Sequence, residues 1–136
     1  KAISSIKEQT YDNVEYIIID GGSKDGTLDI ISKHEDHIDF WMSENDNGIY
    51  NAMNKGIALS KGDYVGFVGS DDYLHLDTLE KLAKVAKKQT IDFTVGPVNM
   101  IKKNGQLLEN RHYLTRGAAS SSYPQGYTAN LISYYR

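Results

Sequence analysis

The chain has 136 residues, 40% hydrophobic and 24% charged, with a formal net charge of −3 at pH 7. This length bounds it to one domain with room for a real core, and the acidic balance argues against a nucleic-acid binder, which carries a basic excess. The lack of any cysteine excludes disulfides and thiolate metal sites and is compatible with a reducing compartment, and no apolar run approaches the ~18 residues that span a bilayer.

In chain order the pattern alternates helix and strand, the signature of a βαβ sheet. Ala2, Ile3 and Ile6 follow helical spacing and predict a helix over Lys1–Gln9. Val14–Ile19 reads as a strand buried on both faces, because Tyr16-Ile17-Ile18-Ile19 is continuous and apolar. A helix is expected from Thr27 to about His34, with Leu28 and Ile31 on one face, followed by a short strand at Phe40-Trp41-Met42. Ile49, Ala52, Met53, Gly56, Ile57 and Ser60 form one apolar or small helical face, and Gly62 is placed to stop that helix. Tyr64–Val68 is a second strand expected to be buried on both faces. Thr78–Lys88 reads as a helix that buries Leu79, Leu82, Ala83 and Ala86, with Asp77 and Glu80 as its capping box. Ile91–Val95 is a further strand. Val98–Ile101 and Leu107–Glu109 flank Asn104-Gly105, a strong hairpin signal.

Charge is uneven. Residues 111–136 hold three arginines, five tyrosines and no acid, which leaves residues 1–110 with twelve basic against eighteen acidic side chains. Such a tail suits an anionic acceptor or a peripheral membrane contact; an exposed, loop-rich edge explains it equally well. The chain opens on Lys1 inside a helical pattern, so it reads as a segment of a longer protein.

The chemistry sits in the loops. Both continuous strands empty into acidic turns: Asp20-Gly21-Gly22-Ser23 after the first, Gly69-Ser70-Asp71-Asp72 after the second. In open α/β sheets, ligands bind beyond the carboxyl ends of the strands. Adjacent carboxylates such as Asp71 and Asp72 suit a hard divalent cation, Mg²⁺ or Mn²⁺, that shares its shell with substrate phosphate; capping of the following helix competes with that assignment. The glycines at 21 and 22 let a ligand approach the backbone, and Asp20 suits a base or ribose contact. Asp25 is favoured as a cap of its helix. The G-x-G-x-x-G spacing and G-K-[ST] are both absent, so this is neither a dinucleotide fingerprint nor a P-loop. Asp46-Asn47-Gly48 enters the helix carrying Tyr50, Asn51 and Asn54, whose N-terminus can face phosphate. Lys55 is better read as solvated than as a phosphate contact.

Three segments in this order, Val14–Thr27, Gly48–Ala58 and Gly62–Asp72, make the chain resemble the family 2 glycosyltransferases with the GT-A fold. The resemblance implies an α/β fold with an open, mostly parallel sheet and flanking helices, a nucleotide-diphosphate-sugar donor of UDP or GDP type, and a glycan or lipid-linked acceptor. It also implies a divalent metal (Mn²⁺ or Mg²⁺), inversion at the anomeric carbon, and a place in the cytoplasm, associated with the cytoplasmic face of the membrane in polysaccharide or cell-envelope synthesis. Residues 1–110 would be the donor-binding core and 111–136 a partial acceptor-side segment. Asp20 matches the base-contacting acid, and Gly21 stands where many members carry a second acid. Asn54 matches a polar position near the donor, and Asn51 stands where relatives often have Asp. Asp71-Asp72 matches the DXD motif, with Asp71 on the ribose or sugar and Asp72 on the metal. The family's opening strand, central in the sheet, is not found before Lys1. Its catalytic base is not identified, since no acid follows Glu109. Two other functions fit the residues: a nucleotide-sugar-binding module without turnover, and a nucleotidyltransferase, which needs a triphosphate-binding loop not seen here.

Overall fold

The computed structural model describes residues 1–88, 98–102, 106–111 and 129–134. The elements are α1 (Ala2–Lys7), β1 (Val14–Asp20), α2 (Thr27–Ser32), a 3₁₀ turn (Glu35–His37) and β2 (Phe40–Ser43). They continue with α3 (Ile49–Leu59), β3 (Tyr64–Gly69), α4 (Thr78–Lys88), β4 (Val98–Ile101), β5 (Leu107–Arg111) and β6 (Ala129–Tyr134). The α/β alternation expected from the hydrophobic pattern is present.

One sheet has the order β2-β1-β6-β3. β1 and β2 are parallel, and β6 runs antiparallel to both β1 and β3. Three of its four strands therefore point the same way. Ile19 and Gly69 both lie opposite Ala129, and Asp20 lies opposite Ser43. The chain thus leaves β1, β2 and β3 along a single edge, nearly in register, and the acidic turns share that edge. The central place, where the resemblance expects a parallel opening strand, is held here by β6. β4 and β5 form a separate antiparallel pair, as the hairpin signal predicts, with a register shift between Met100 and Ile101. The expected strand at Ile91–Val95, the Asn104-Gly105 turn and most of the Tyr-rich tail lie outside the described residues.

β1 is the centre of the core. Strand alternation sends Tyr16 and Ile18 to one face, where they pack with Ile6, Ile31, Ile38, Val68 and Leu79. Ile17 and Ile19 face the other way and meet Ala52 of α3, with Met42, Met53 and Val65 around them. Each fully buried isoleucine contributes about 1.5–3 kcal/mol, so this strand holds the edge rigidly on both sides. Burial also pushes the Tyr16 phenol well above its ordinary pKa.

Several expectations are corrected. β3 is not buried on both faces: Val68 is buried but Phe67 is 43% exposed. The reason is position, since β3 ends the sheet and has one strand neighbour among the described residues. On α3, Ala52 and Gly56 are buried while Ile57 is 49% exposed, so the contact stripe is narrower than the apolar pattern. Asp77 and Glu80 do not act as the expected box. Asp77 pairs with Lys81, and Glu80 with Lys84 and Thr10. The N–H of Leu79, in the first turn of α4, donates instead to Gln9 Oε1 at 3.0 Å, from just beyond α1.

Candidate functional site

The turn after β1 is built around Asp20, which is 0% exposed. Its Oδ2 accepts the Gly22 N–H (3.0 Å), the Ser23 N–H (2.9 Å) and the Ser43 hydroxyl (2.6 Å), while Oδ1 accepts the Ser23 hydroxyl (2.5 Å). Gly22 makes this wrap possible with φ +84°, a left-handed backbone that costs a side-chain-bearing residue roughly 1–2 kcal/mol. Burial works to raise the Asp20 carboxyl, but the bonds from Ser23, Ser43 and the Gly22 amide outweigh it and hold the group below its ordinary pKa. Ser43 closes β2, so this carboxylate also locks the ends of β1 and β2 together. Nearby, Asp25 Oδ1 accepts the Thr27 hydroxyl at 2.7 Å and the Thr27 N–H at 3.2 Å, which ties down the first residue of α2 from one position before the N-cap, Gly26, rather than from the cap itself.

The turn after β2 lies against this one. Asp46 Oδ1 accepts the Gly48 N–H at 2.8 Å at the entrance to α3. Its Oδ2 is buried and has no hydrogen-bond partner among the described residues. A Cβ on Gly21 would sit 2.9 Å from that oxygen, and one on Gly22 would sit 2.4 Å from Asn45 Oδ1. The two turns therefore interlock, side chains of one against bare backbone of the other. Glu44 Oε1 pairs with Lys55 Nζ at 2.6 Å, which anchors the β2–α3 turn to its helix and leaves Lys55 half-buried in an ion pair.

The turn after β3 has the opposite character. Asp72 N–H donates to Gly69 O at 3.1 Å, closing the chain tightly. Asp71 and Asp72 are both exposed. Both carboxylates fold back over Gly69, so that a Cβ there would lie 2.8 Å from Asp72 Oδ2 and 3.0 Å from Asp71 Oδ1. Two carboxylates converging over a bare glycine fit a hard divalent cation, which takes oxygen ligands and completes its shell with water and phosphate. No group of three or more His, Cys, Asp or Glu able to hold a metal occurs among the described residues, so the turn offers two carboxylates and no third ligand of these types among them.

The segment beyond Asp72 is tied down from a distance. Leu74 N–H donates to Ser5 Oγ (3.1 Å), Gln9 Nε2 to His75 O (2.7 Å) and Thr10 N–H to Leu76 O (3.0 Å). Gln9 is buried, and its amide joins the two ends of this segment. Its Nε2 also donates to Ser5 O at 2.9 Å, but its role here carries no local signal, since His75 and Leu79 lie about seventy residues away.

The sequence candidates thus fall into separate groups. Asp20 and Gly21 share the β1 turn, and Asp71 and Asp72 share the β3 turn on the same sheet edge. Asn54 is on the exposed side of α3, with no hydrogen bond to either turn among the described residues. Sequence reasoning passes over Ser43 and gives no role to Gln9, Asp46 or Gly69. Asp46 and Gly69 do sit inside turns already marked, the loop entering α3 and the acidic turn after β3.

A family model, Glycosyl transferase family 2, matches residues 1–132. The chain is similar to the PGL/p-HBAD biosynthesis glycosyltransferase of Mycobacterium tuberculosis (strain ATCC 25177 / H37Ra), 35% identical over 107 residues that make up 75% of this chain and 42% of that protein. It is also similar to two proteins of Streptococcus pneumoniae serotype 4 (strain ATCC BAA-334 / TIGR4). Glycosyltransferase GlyA is 34% identical over 98 residues, 71% of this chain and 14% of that protein. Glycosyltransferase GlyG is 30% identical over 99 residues, 71% and 33% respectively. The chain therefore spans less than half the length of these curated relatives. No solved structure matches it significantly.

Proposed function

The chain belongs to glycosyl transferase family 2, with the family's GT-A α/β plan, and from that premise we propose that it is the donor-binding part of an inverting, hexosyltransferase-type enzyme. The donor is a nucleotide-diphosphate sugar of UDP or GDP type, and the acceptor a glycan or lipid-linked sugar. The observation that carries this reading is the convergence of the Asp71 and Asp72 carboxylates over Gly69 at the edge where β1 and β2 also end.

In this reading Asp72 holds Mn²⁺ or Mg²⁺ and Asp71 holds a hydroxyl of the ribose or sugar. A divalent cation bound there supplies neutralisation of the charge that gathers on the leaving diphosphate. The chain's own residues do the positioning. Asp20 shapes the β1 turn from inside, Gly21 and Gly22 let the β2 turn pack closely against it, and the Gln9 network fixes where the β3 turn points. The acceptor hydroxyl needs a base to take its proton, and no residue is assigned that role.

The test is a screen of the purified protein against common nucleotide sugars, with metal and with chelator, read by released nucleotide. Metal-dependent hydrolysis or transfer with at least one donor is expected. Tight nucleotide binding with no turnover for any donor would favour a binding module, and neither binding nor turnover would remove the reading altogether. No helix among the described residues is long and apolar enough to cross a membrane.

A further inference from the structure

We infer that Asp46, rather than Asp20, is the carboxylate that receives the nucleoside end of the donor, and that Asp20 is its internal support. This rests on the glycosyltransferase reading above and deepens it.

Two neighbouring acids are unequally satisfied. Asp20 accepts hydrogen bonds from Gly22, Ser23 and Ser43 and has no exposed surface. To serve a ligand it would have to give up bonds that define its own turn. Asp46 has one oxygen committed to Gly48, while Oδ2 is buried without a partner among the described residues. Buried polar atoms are almost always paired, so one left over at the ligand-binding edge of a sheet calls for a cause. An ionised carboxylate only accepts, so the group that completes it must bring an N–H or O–H.

Position narrows the class of that group. Asp46 follows β2 and touches Gly21 after β1, whereas Asp71 and Asp72 follow β3. β1 and β3 are separated by β6, which sets them two strand spacings apart, about 10 Å. With the diphosphate at the Asp71–Asp72 end, Asp46 lies toward the nucleoside, whose base N–H and ribose hydroxyls are donors. When the Asp46 side chain turns out from the bare backbone of Gly21, Oδ2 exchanges that packing contact for a hydrogen bond from the ligand. The missing Cβ at position 21 is what lets the carboxylate lie there, because a Cβ would sit 2.9 Å from Oδ2.

The experiment compares wild type with Asp46→Asn, Asp46→Ser and Asp20→Asn by calorimetry with UDP and with GDP, each with Mn²⁺ and with Mg²⁺, alongside melting temperatures without ligand. Both Asp46 variants are expected to weaken nucleotide binding about tenfold or more, by the same factor with either metal, with the melting temperature unchanged or raised. Asp20→Asn is expected to lower the melting temperature while the folded protein binds within about threefold of wild type. Having two Asp46 variants keeps the test alive if one fails to fold. Wild-type affinity in a folded Asp46 variant overturns the inference, as does selective loss of binding in Asp20→Asn. A wild type that binds neither nucleotide overturns the glycosyltransferase reading, and this inference with it.

Discussion

The turns after β1 and β3 look alike in sequence, each an apolar strand running into glycine and aspartate, yet they use their carboxylates in opposite directions. In the first, Asp20 is turned inward and saturated by its own loop and by Ser43. In the second, Asp71 and Asp72 stand exposed and converge over Gly69. The difference follows from burial. β1 is packed on both faces, so an acid at its end must find partners inside the protein or impose a desolvation cost of several kcal/mol. Among the described residues β3 ends the sheet, and the acids at its end are exposed and available to a cation. One turn is a fastener and the other is a candidate grip.

That contrast can be broken most sharply at Gly69. A Gly69→Ala substitution inserts a carbon at 2.8 Å from Asp72 Oδ2 and 3.0 Å from Asp71 Oδ1 and must push both away. If they form the grip, metal-dependent turnover falls by on the order of 10²-fold, the cost of a misplacement of about 1 Å, while the melting temperature stays within a few degrees. A variant as active as wild type would mean that the pair is not aimed at the reacting group.

Next in size is Asp20→Ala, which leaves the Ser23 and Ser43 hydroxyls and two backbone N–H groups without their acceptor. It should cost about 3 kcal/mol in denaturant unfolding. The same network has a pH signature. The folded protein holds the Asp20 carboxyl below its ordinary pKa, so the unfolded chain takes up the proton first. The stabilisation is complete above the unfolded value of about 3.9 and is lost as pH falls through the lower folded value. Wild-type unfolding free energy should therefore decline over that acid range more steeply than that of Asp20→Asn. Parallel curves would show that the network adds nothing.

A smaller effect is expected where the two regions are joined to the rest of the fold. Gln9→Ala removes the acceptor of Leu79 N–H and the donor to His75 O, and should destabilise by about 2 kcal/mol. Because those bonds hold the segment after Asp72, the apparent metal affinity should also weaken a few-fold. A loss of stability with metal affinity unchanged would confine Gln9 to a purely structural role.

Local signals in the sequence carry the strand–helix alternation, the hairpin and the positions of both acidic turns, because apolar runs and glycines act over a few residues. What escapes sequence reading depends on contacts far along the chain. Asp20 looks like a free acid until Ser43, twenty-three residues on, is seen donating to it. Asp77 and Glu80 look like a capping box until Gln9 arrives from seventy residues away to take the Leu79 N–H. β6 is unreadable for the same reason: Ala129–Tyr134 has a weak pattern of its own and becomes a central strand only by pairing with β1 and β3 at once. Asp46 lies in a recognisable loop, but its unpaired oxygen is a property of the packed turns rather than of its neighbours in sequence.

The central claim is that Asp71 and Asp72 grip a metal-bound nucleoside diphosphate. The most direct measurement is calorimetric titration of wild type and Asp72→Ala with UDP and GDP, in Mn²⁺ and in chelator. Wild type should bind one of the two nucleotides in a Mn²⁺-dependent manner, and Asp72→Ala should lose that dependence while melting as wild type does. Equal wild-type affinity with Mn²⁺ and with chelator, or a folded Asp72→Ala that keeps the Mn²⁺ dependence, would contradict it.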